Sequence, residues 1–375
     1  MSMTFSEEQD ELRRSVRRFL EQKSASADVR RLMETDEGYD PQVWAQMAEQ
    51  LGLQGLALPE EHGGSGYGFL EQVVVLEEMG RTLLPAPYFS TVVLAATALA
   101  ESGDDSAQKD LLPGIADGST VATLAWVEQP TSWGVEPVAT TARRDGDGYV
   151  LDGRKTLVLD GHVASLILVV ARTEAGPSLF AVDAAATGLS RRPLRTLDMT
   201  RKLAEIELAG VPARLVGAEG AAADVVERTL RLAVVALAAE QVGGAQRCLD
   251  MSVDYAKLRV QFGRPIGSFQ AIKHKCADML LEVESARSAA YYAAWAAADD
   301  TDELPLVASL AKAYCSEAFA NAATENIQIH GGIGFTWEHD AHLYYRRAKS
   351  TEQFLGSPAA HRDALAARLL MGEGF

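Results

Sequence analysis

Cysteine is scarce in this 375-residue chain: Cys248, Cys276 and Cys315 lie far apart, and no CxxC pair occurs. An odd, low count excludes a disulfide scaffold as the basis of the fold and points to a reducing compartment. No cluster has the ligand spacing of a structural metal site. Basic residues are the minority, 35 against 52 acidic, for a formal net charge of −17. That argues against a nucleic-acid surface, which needs a basic face. Long apolar runs are also missing. The longest, Leu232 to Ala239, is too short to span a bilayer, and Met1 to Arg18 is rich in charge, with no apolar core of signal-peptide length. The expectation is a cytoplasmic protein that engages neither nucleic acid nor membrane.

What is present is ordinary for a globular chain, 47% hydrophobic and 23% charged, and long enough for two or three structural units. Local basic clusters, Lys257-Arg259 with Arg264 and Lys273-His274-Lys275, leave room for an anionic ligand. The first hundred residues read as helices: Phe5, Leu12, Val16 and Leu20 fall at helical spacing, Val43 to Leu51 is amphipathic, and helix resumes over Phe69 to Thr82. Leu58 to Gly68, with a proline and four glycines, is a loop. Pro85 and Pro87 interrupt before an apolar helix from Ser90 to Glu101. From Thr120 to about Pro212 the pattern is β-like: Val121–Val127, Thr140–Arg144 and Ser165–Val170 are strand candidates, and Asp145-Gly146-Asp147-Gly148 is a tight turn between two strands. Asp183 to Gly188 and Gly217 to Ala223 read as surface loops. From Ala221 the pattern is helical again, and Ala289 to Ala298 favours helix by propensity. The order predicts an α+β chain with a β part inserted between two helical halves.

Three segments carry glycine-rich or basic signals. Tyr255 to Gln270 (YAKLRVQFGRPIGSFQ) runs from a helix through a Gly/Pro turn into a second helix, with Ser268 as its N-cap. Gln328-Ile329-His330-Gly331-Gly332-Ile333-Gly334-Phe335-Thr336 is a glycine elbow where phosphates can approach backbone N–H groups. The third is the Leu58–Gly68 loop. Alone, a Gly-Gly-x-Gly is more often a helix stop. In this order and at these distances, and with Asp152-Gly153-Arg154-Lys155 after the β-turn, they resemble the acyl-CoA dehydrogenase family over nearly the whole chain. The resemblance implies an N-terminal helical domain (1–118), a middle β-barrel-like domain (119–215) and a C-terminal four-helix bundle (216–375) that builds a tetramer. It implies FAD as cofactor, an acyl-CoA thioester as substrate and an electron-transfer flavoprotein as acceptor.

In that family the flavin is shared between subunits. The residues matching a neighbour's contribution to its adenine and pyrophosphate half are Arg259, Phe262, Gln270, Gln328, Gly331 and Gly332; arginine suits phosphate because its planar fork donates two parallel hydrogen bonds. The residues matching the chain's own flavin seat depart from the pattern. Where the family carries hydroxyls on Thr-Glu-Pro and Lys-x-Trp-Ile-Thr, this chain has Val127 and Leu159, and Leu157 stands for the tryptophan.

The family abstracts the substrate's α-proton with a glutamate as the β-hydrogen leaves as hydride to the flavin, and desolvation can raise a carboxylate's pKa toward that task. The resemblance puts this base at one of two places, here Leu355 and Ala233, neither of which takes a proton. Glu240 is the candidate substitute. It lies seven residues beyond Ala233 on the same helix, a rise of roughly 10 Å at ~1.5 Å per residue. The competing reading is a buried glutamate paired with an arginine. Glu352 and Glu227 are expected to point elsewhere. His339 and His342 share a helix face but lack a third ligand, so no metal is assigned.

Three functional readings follow. One is an active FAD-dependent acyl-CoA dehydrogenase, acting on a branched, cyclic or steroid-derived acyl group with a displaced base, as a homotetramer. Another is a non-catalytic subunit that completes the FAD site of a base-bearing paralogue in an α2β2 heterotetramer, resembling those of actinobacterial steroid degradation. A third is a flavoprotein of the same fold that uses oxygen or only binds acyl-CoA.

Overall fold

The computed structural model describes residues 5–129, 133–135 and 137–370. The described residues form two compact units, one drawn from 1–30, 69–84 and 234–375 and the other from 31–68 and 85–233.

The first unit is helical. It holds α1 (Glu7–Lys23), α4 (Phe69–Thr82), most of α7 (Ala222–Leu258), α8 (Gln270–Ala298), α9 (Leu304–His330), α10 (Ala341–Gln353) and α11 (Pro358–Leu370). A Ser6–Gln9 capping box starts α1, which satisfies two of the orphan donors at its N-terminus. Leu12, Val16 and Leu20 do lie on one face of α1, the last two buried. Residues 72–80 of α4 are all buried, including Glu77 and Glu78. Such acids survive burial only when paired, and they are: Arg13 reaches Glu77 at 2.7 Å, Arg17 reaches Glu78 at 2.7 Å, and Arg287 and Tyr291 of α8 also bond Glu77. Burial opposes ionisation of Glu77, but the Arg287 and Arg13 guanidinium groups outweigh it and hold the carboxyl below its usual range.

Two glycines let α4 and α7 touch by their backbones. A Cβ on Gly80 would stand 2.0 Å from the carbonyl oxygen of Glu240, and one on Gly243 would stand 1.8 Å from that of Glu77. Only glycine permits that approach. Further along α7, Gln241 donates to Ser316 of α9 at 3.0 Å and Ser252 to Asn326 at 3.0 Å, and Gly244 leaves room for the Phe319 ring.

The second unit holds α2 (Ser26–Met33, which begins in the first unit), α3 (Pro41–Leu51), α5 (Thr97–Glu101), α6 (Asp105–Ala116) and seven strands. These are β1 (Ala122–Ala125), β2 (Thr141–Asp145), β3 (Gly148–Leu159), β4 (Leu166–Thr173), β5 (Gly176–Asp183), β6 (Leu189–Leu194) and β7 (Leu203–Val216). The path β4-β2-β3-β7-β5 closes because β5 also pairs with β4, with β1 joined to β4 and β6 to β7. This is the barrel-like sheet expected of the middle segment. The long strand β3 is bulged, its register with β7 shifting twice, and such bulges bend a strand toward closure. The β2–β3 turn is as expected, with Asp145 opposite Gly148 and Gly146 at φ 58°.

Three local expectations need correction. Ser268 is not the cap of α8; it lies in a 3₁₀ turn, its hydroxyl donates to the Pro265 carbonyl, and Phe269 precedes the helix without a side-chain cap. The apolar stretch before α5 is π-helical over Phe89–Ala96. The loop read up to Ala223 ends earlier, because α7 starts at Ala222.

Candidate functional site

The segments matched to the FAD's adenine and pyrophosphate half lie in the helical unit, at the C-terminal ends of α7 and α9. Past α7 the chain forms a small hairpin, β8 (Val260–Gln261) with β9 (Arg264–Pro265). Its two-residue loop is Phe262-Gly263, both left-handed at φ 54° and 78°, the geometry that matches the twist of a tight hairpin. The loop holds Phe262 out, 92% exposed, with Arg259 exposed at the hairpin's base. Arg264 covers the Phe269 ring at 4.2 Å. Gln270, the first residue of α8, is exposed.

The glycine elbow follows α9. Tyr255 stacks on His330 at 4.3 Å, and His330 lies 4.2 Å from His339, so the ends of α7 and α9 are held together. Arg259 and the elbow therefore share one end of the unit. Burial lowers the pKa values of both histidines, favouring the neutral rings that such stacking needs. Gln328, Gly331 and Gly332 are exposed, Gly331 is left-handed at φ 64°, and a Cβ on either glycine would meet nothing within 4 Å. Here are an exposed guanidinium, two exposed carboxamides and unobstructed backbone: a donor set that fits a dinucleotide's phosphates. Phe335 and Trp337, 81% and 55% exposed, continue the face.

The other half lies in the β unit and is different in kind. Val127 and Leu159 are buried at 3% and 2% exposure and offer no hydroxyl. The Val127 carbonyl is taken by the Thr156 N–H at 2.8 Å, and the Leu159 carbonyl by the Thr123 hydroxyl at 2.6 Å. Leu157 is left-handed at φ 53° within the β3 bulge. Beside them Lys155, fully buried, reaches Glu128 at 2.6 Å. Burial pushes the Lys155 ammonium down to about 8. It also opposes the charge on Glu128, but the Lys155 hydrogen bond and charge, together with the hydrogen bonds from Thr140, outweigh it and hold that carboxyl below its usual range. Glu128 further accepts the Ala139 and Thr140 N–H groups. Its charge is thus spent on structure. Pro130, Thr131 and Ser132 of the altered Thr-Glu-Pro stretch lie outside the described residues. This half fits a flavin poorly, lacking both side-chain donors.

Neither usual base position holds an acid. Ala233 is fully buried and Leu355 is 5% exposed. Glu240 is also buried, and Arg347 of α10 faces it at 2.7 Å, their side chains 6% and 4% exposed. The geometry is that of the paired, structural acid, with its own backbone carbonyl against Gly80. Glu352 pairs with Lys349 at 2.8 Å, and Glu227 with Arg231 at 2.6 Å. Among the described residues no group of three or more His, Cys, Asp or Glu could hold a metal ion.

Sequence reasoning missed Lys312. This lysine of α9 is fully buried, and four oxygens, Ser316 Oγ and the carbonyls of Thr351, Glu352 and Gly356, surround its three N–H donors at 2.9–3.2 Å. Burial pushes it down to about 7. Its signal was a single lysine, with no arginine, in an alanine-rich helix.

The comparisons follow the same lines. The models for the N-terminal, middle and C-terminal domains of acyl-CoA dehydrogenase match residues 6–119, 123–211 and 220–370. The acyl-CoA dehydrogenase IpdE2 of Mycolicibacterium smegmatis is 36% identical, covering 94% of this chain and 96% of its own. A solved structure of a variant of the steroid ACAD Tcur3481-Tcur3483 is 36% identical with a TM-score of 0.87, covering 98% of this chain and 99% of the other. A chain of the ChsE4-ChsE5 complex of Mycobacterium tuberculosis is 32% identical with a TM-score of 0.90, covering 99% of each. No helix among the described residues is long and apolar enough to cross a membrane. Fold, site segments and relatives agree: the chain belongs to the acyl-CoA dehydrogenase family.

Proposed function

We propose that this chain is the base-lacking subunit of an α2β2 heterotetrameric acyl-CoA dehydrogenase, and that it completes the FAD site of a glutamate-bearing paralogue. One observation carries the reading. The half-site offered to a neighbour is exposed, polar and open at Arg259, Gln270, Gln328, Gly331 and Gly332. The half the chain would need for itself is apolar and closed at Val127 and Leu159. Both usual base positions are aliphatic, and Glu240 faces a buried arginine.

On this reading Arg259 and the elbow hold the pyrophosphate of the FAD seated mainly in the paralogue, and Phe262 packs against that subunit. The bound flavin supplies the hydride acceptor. The acyl group is branched, cyclic or steroid-derived, in keeping with a steroid ACAD and a two-component complex among the relatives. An electron-transfer flavoprotein takes the electrons, and the assembly is cytoplasmic. The division at 1–118, 119–215 and 216–375 belongs to the same proposal.

A second reading, a self-sufficient homotetramer with Glu240 as base, requires that carboxylate to leave Arg347. Co-expression with a paralogue carrying the glutamate separates the two. Dehydrogenation only in the mixed assembly, abolished by Glu→Gln at the paralogue's base and retained in Glu240→Gln, is the expected result. Turnover by this chain alone, lost in Glu240→Gln, overturns the proposal.

A further inference from the structure

Leu355 is left-handed at φ 60°, and Gly356 follows at φ 102°. A non-glycine residue there is strained, and such strain persists only where its surroundings impose it. Two side chains do so from the backbone side. The His361 ring bonds the Leu355 carbonyl through Nε2 at 2.9 Å, with Nδ1 3.4 Å from Ser309 Oγ. The Lys312 ammonium donates to the Gly356 carbonyl at 3.0 Å and to the carbonyls of Thr351 and Glu352, which end α10. An ammonium has three N–H donors, and here four oxygens surround it, the fourth being Ser316 Oγ. None of these contacts involves the side chain at 355. A Cβ on Gly356 would come within 2.9 Å of His361, so the turn also needs its glycine.

We infer that Lys312 and His361 are positioning residues that preset the 355 turn independently of the side chain it carries, so that Leu355→Glu alone installs a proton-abstracting carboxylate on an unaltered turn. The second half of this inference rests on the acyl-CoA reading above; the first does not. Proton abstraction here means that a thioester α-C–H bond breaks, the proton passes to the carboxylate, and the electron pair delocalises into the thioester carbonyl. In D2O the carbon then takes back deuterium, so no oxidant is consumed.

The test uses the full chain with its co-expressed paralogue made base-less by Glu→Gln. Hydrogen exchange is read at amides 353–357, with β7 of the second unit as reference. Lys312→Met speeds exchange in the turn by at least about tenfold, the loss of charge-assisted bonds, and leaves β7 unchanged. Leu355→Ala and Leu355→Glu leave the turn within about threefold of the wild type. His361→Gln, which keeps a donor, falls between. Turn exchange unmoved by Lys312→Met, or raised as much by Leu355→Ala, overturns the positioning role. The second readout is deuterium uptake at the α-carbon of an acyl-CoA, gained in Leu355→Glu, absent in Leu355→Gln and lost again when Lys312→Met is added. A held turn without α-deuteration defeats the carboxylate claim and counts against acyl-CoA binding by this chain, while the positioning role stands.

Discussion

Replacing Glu240 with glutamine separates structure from catalysis most sharply. The Glu240 carboxylate faces Arg347 at 2.7 Å, with both side chains almost fully buried. Arginine does not deprotonate in proteins, so the substitution removes the carboxylate charge that faces a buried cation. Breaking a buried pair from one side costs about 3–5 kcal/mol. With a urea m-value of about 3 kcal/mol/M or more for a chain of this size, the unfolding midpoint falls by roughly 1 M. Adding Arg347→Met removes the buried cation as well, and the double variant recovers to within about 1–2 kcal/mol of the wild type. The assay is urea unfolding of wild type, both single variants and the double variant, paired with turnover of the mixed assembly at low denaturant. Turnover stays within about threefold of the wild type, whereas removing a general base costs about 10²–10⁴. A Glu240→Gln variant that is fully stable but silent would refute the reasoning, as would a double variant no better than the singles.

Further outcomes follow from the packing and the charges. Gly243→Ala, whose new Cβ would lie 1.8 Å from the Glu77 carbonyl, forces α4 and α7 apart and costs about 1–3 kcal/mol or more by urea unfolding; a neutral result contradicts the backbone contact. Lys155 and Lys312 lose their protons at about 8 and about 7 in the fold, against 10.5 unperturbed. Across that window the unfolded chain binds more protons, so stability rises with pH, and Lys312→Met flattens the rise. His330, His339 and His342 have pKa values lowered by burial, so their contribution is lost as pH falls below the unperturbed 6.5; a thermal-stability profile checks both slopes. Arg259→Ala weakens FAD retention by the mixed assembly about 10–100-fold, as one lost charge-assisted bond implies, measured by release of flavin fluorescence.

Much of the architecture was legible from local pattern. The helix read over Phe69–Thr82 is α4, and the DGDG turn sits between β2 and β3, because spacing and turn residues act within a few positions. What depends on distant partners was not. Arg347 lies 107 residues from Glu240, and a carboxylate in an alanine-rich helix gives no local sign of whether it is poised for chemistry or neutralised. The π-helical stretch at Phe89–Ala96 reads as ordinary helix from periodicity alone. Ser268 has the right residue type for a cap, yet its hydroxyl is drawn back to Pro265 by the 3₁₀ turn. The departures at Val127, Leu159, Ala233 and Leu355 were visible only against the family pattern; the structure adds that all four are buried.

The most direct test of the central claim is flavin stoichiometry at known native mass, for this chain expressed alone and with a glutamate-bearing paralogue. The account predicts a colourless protein alone, and a yellow α2β2 assembly with one flavin for every two chains. A yellow homotetramer of this chain with one flavin per chain would contradict it.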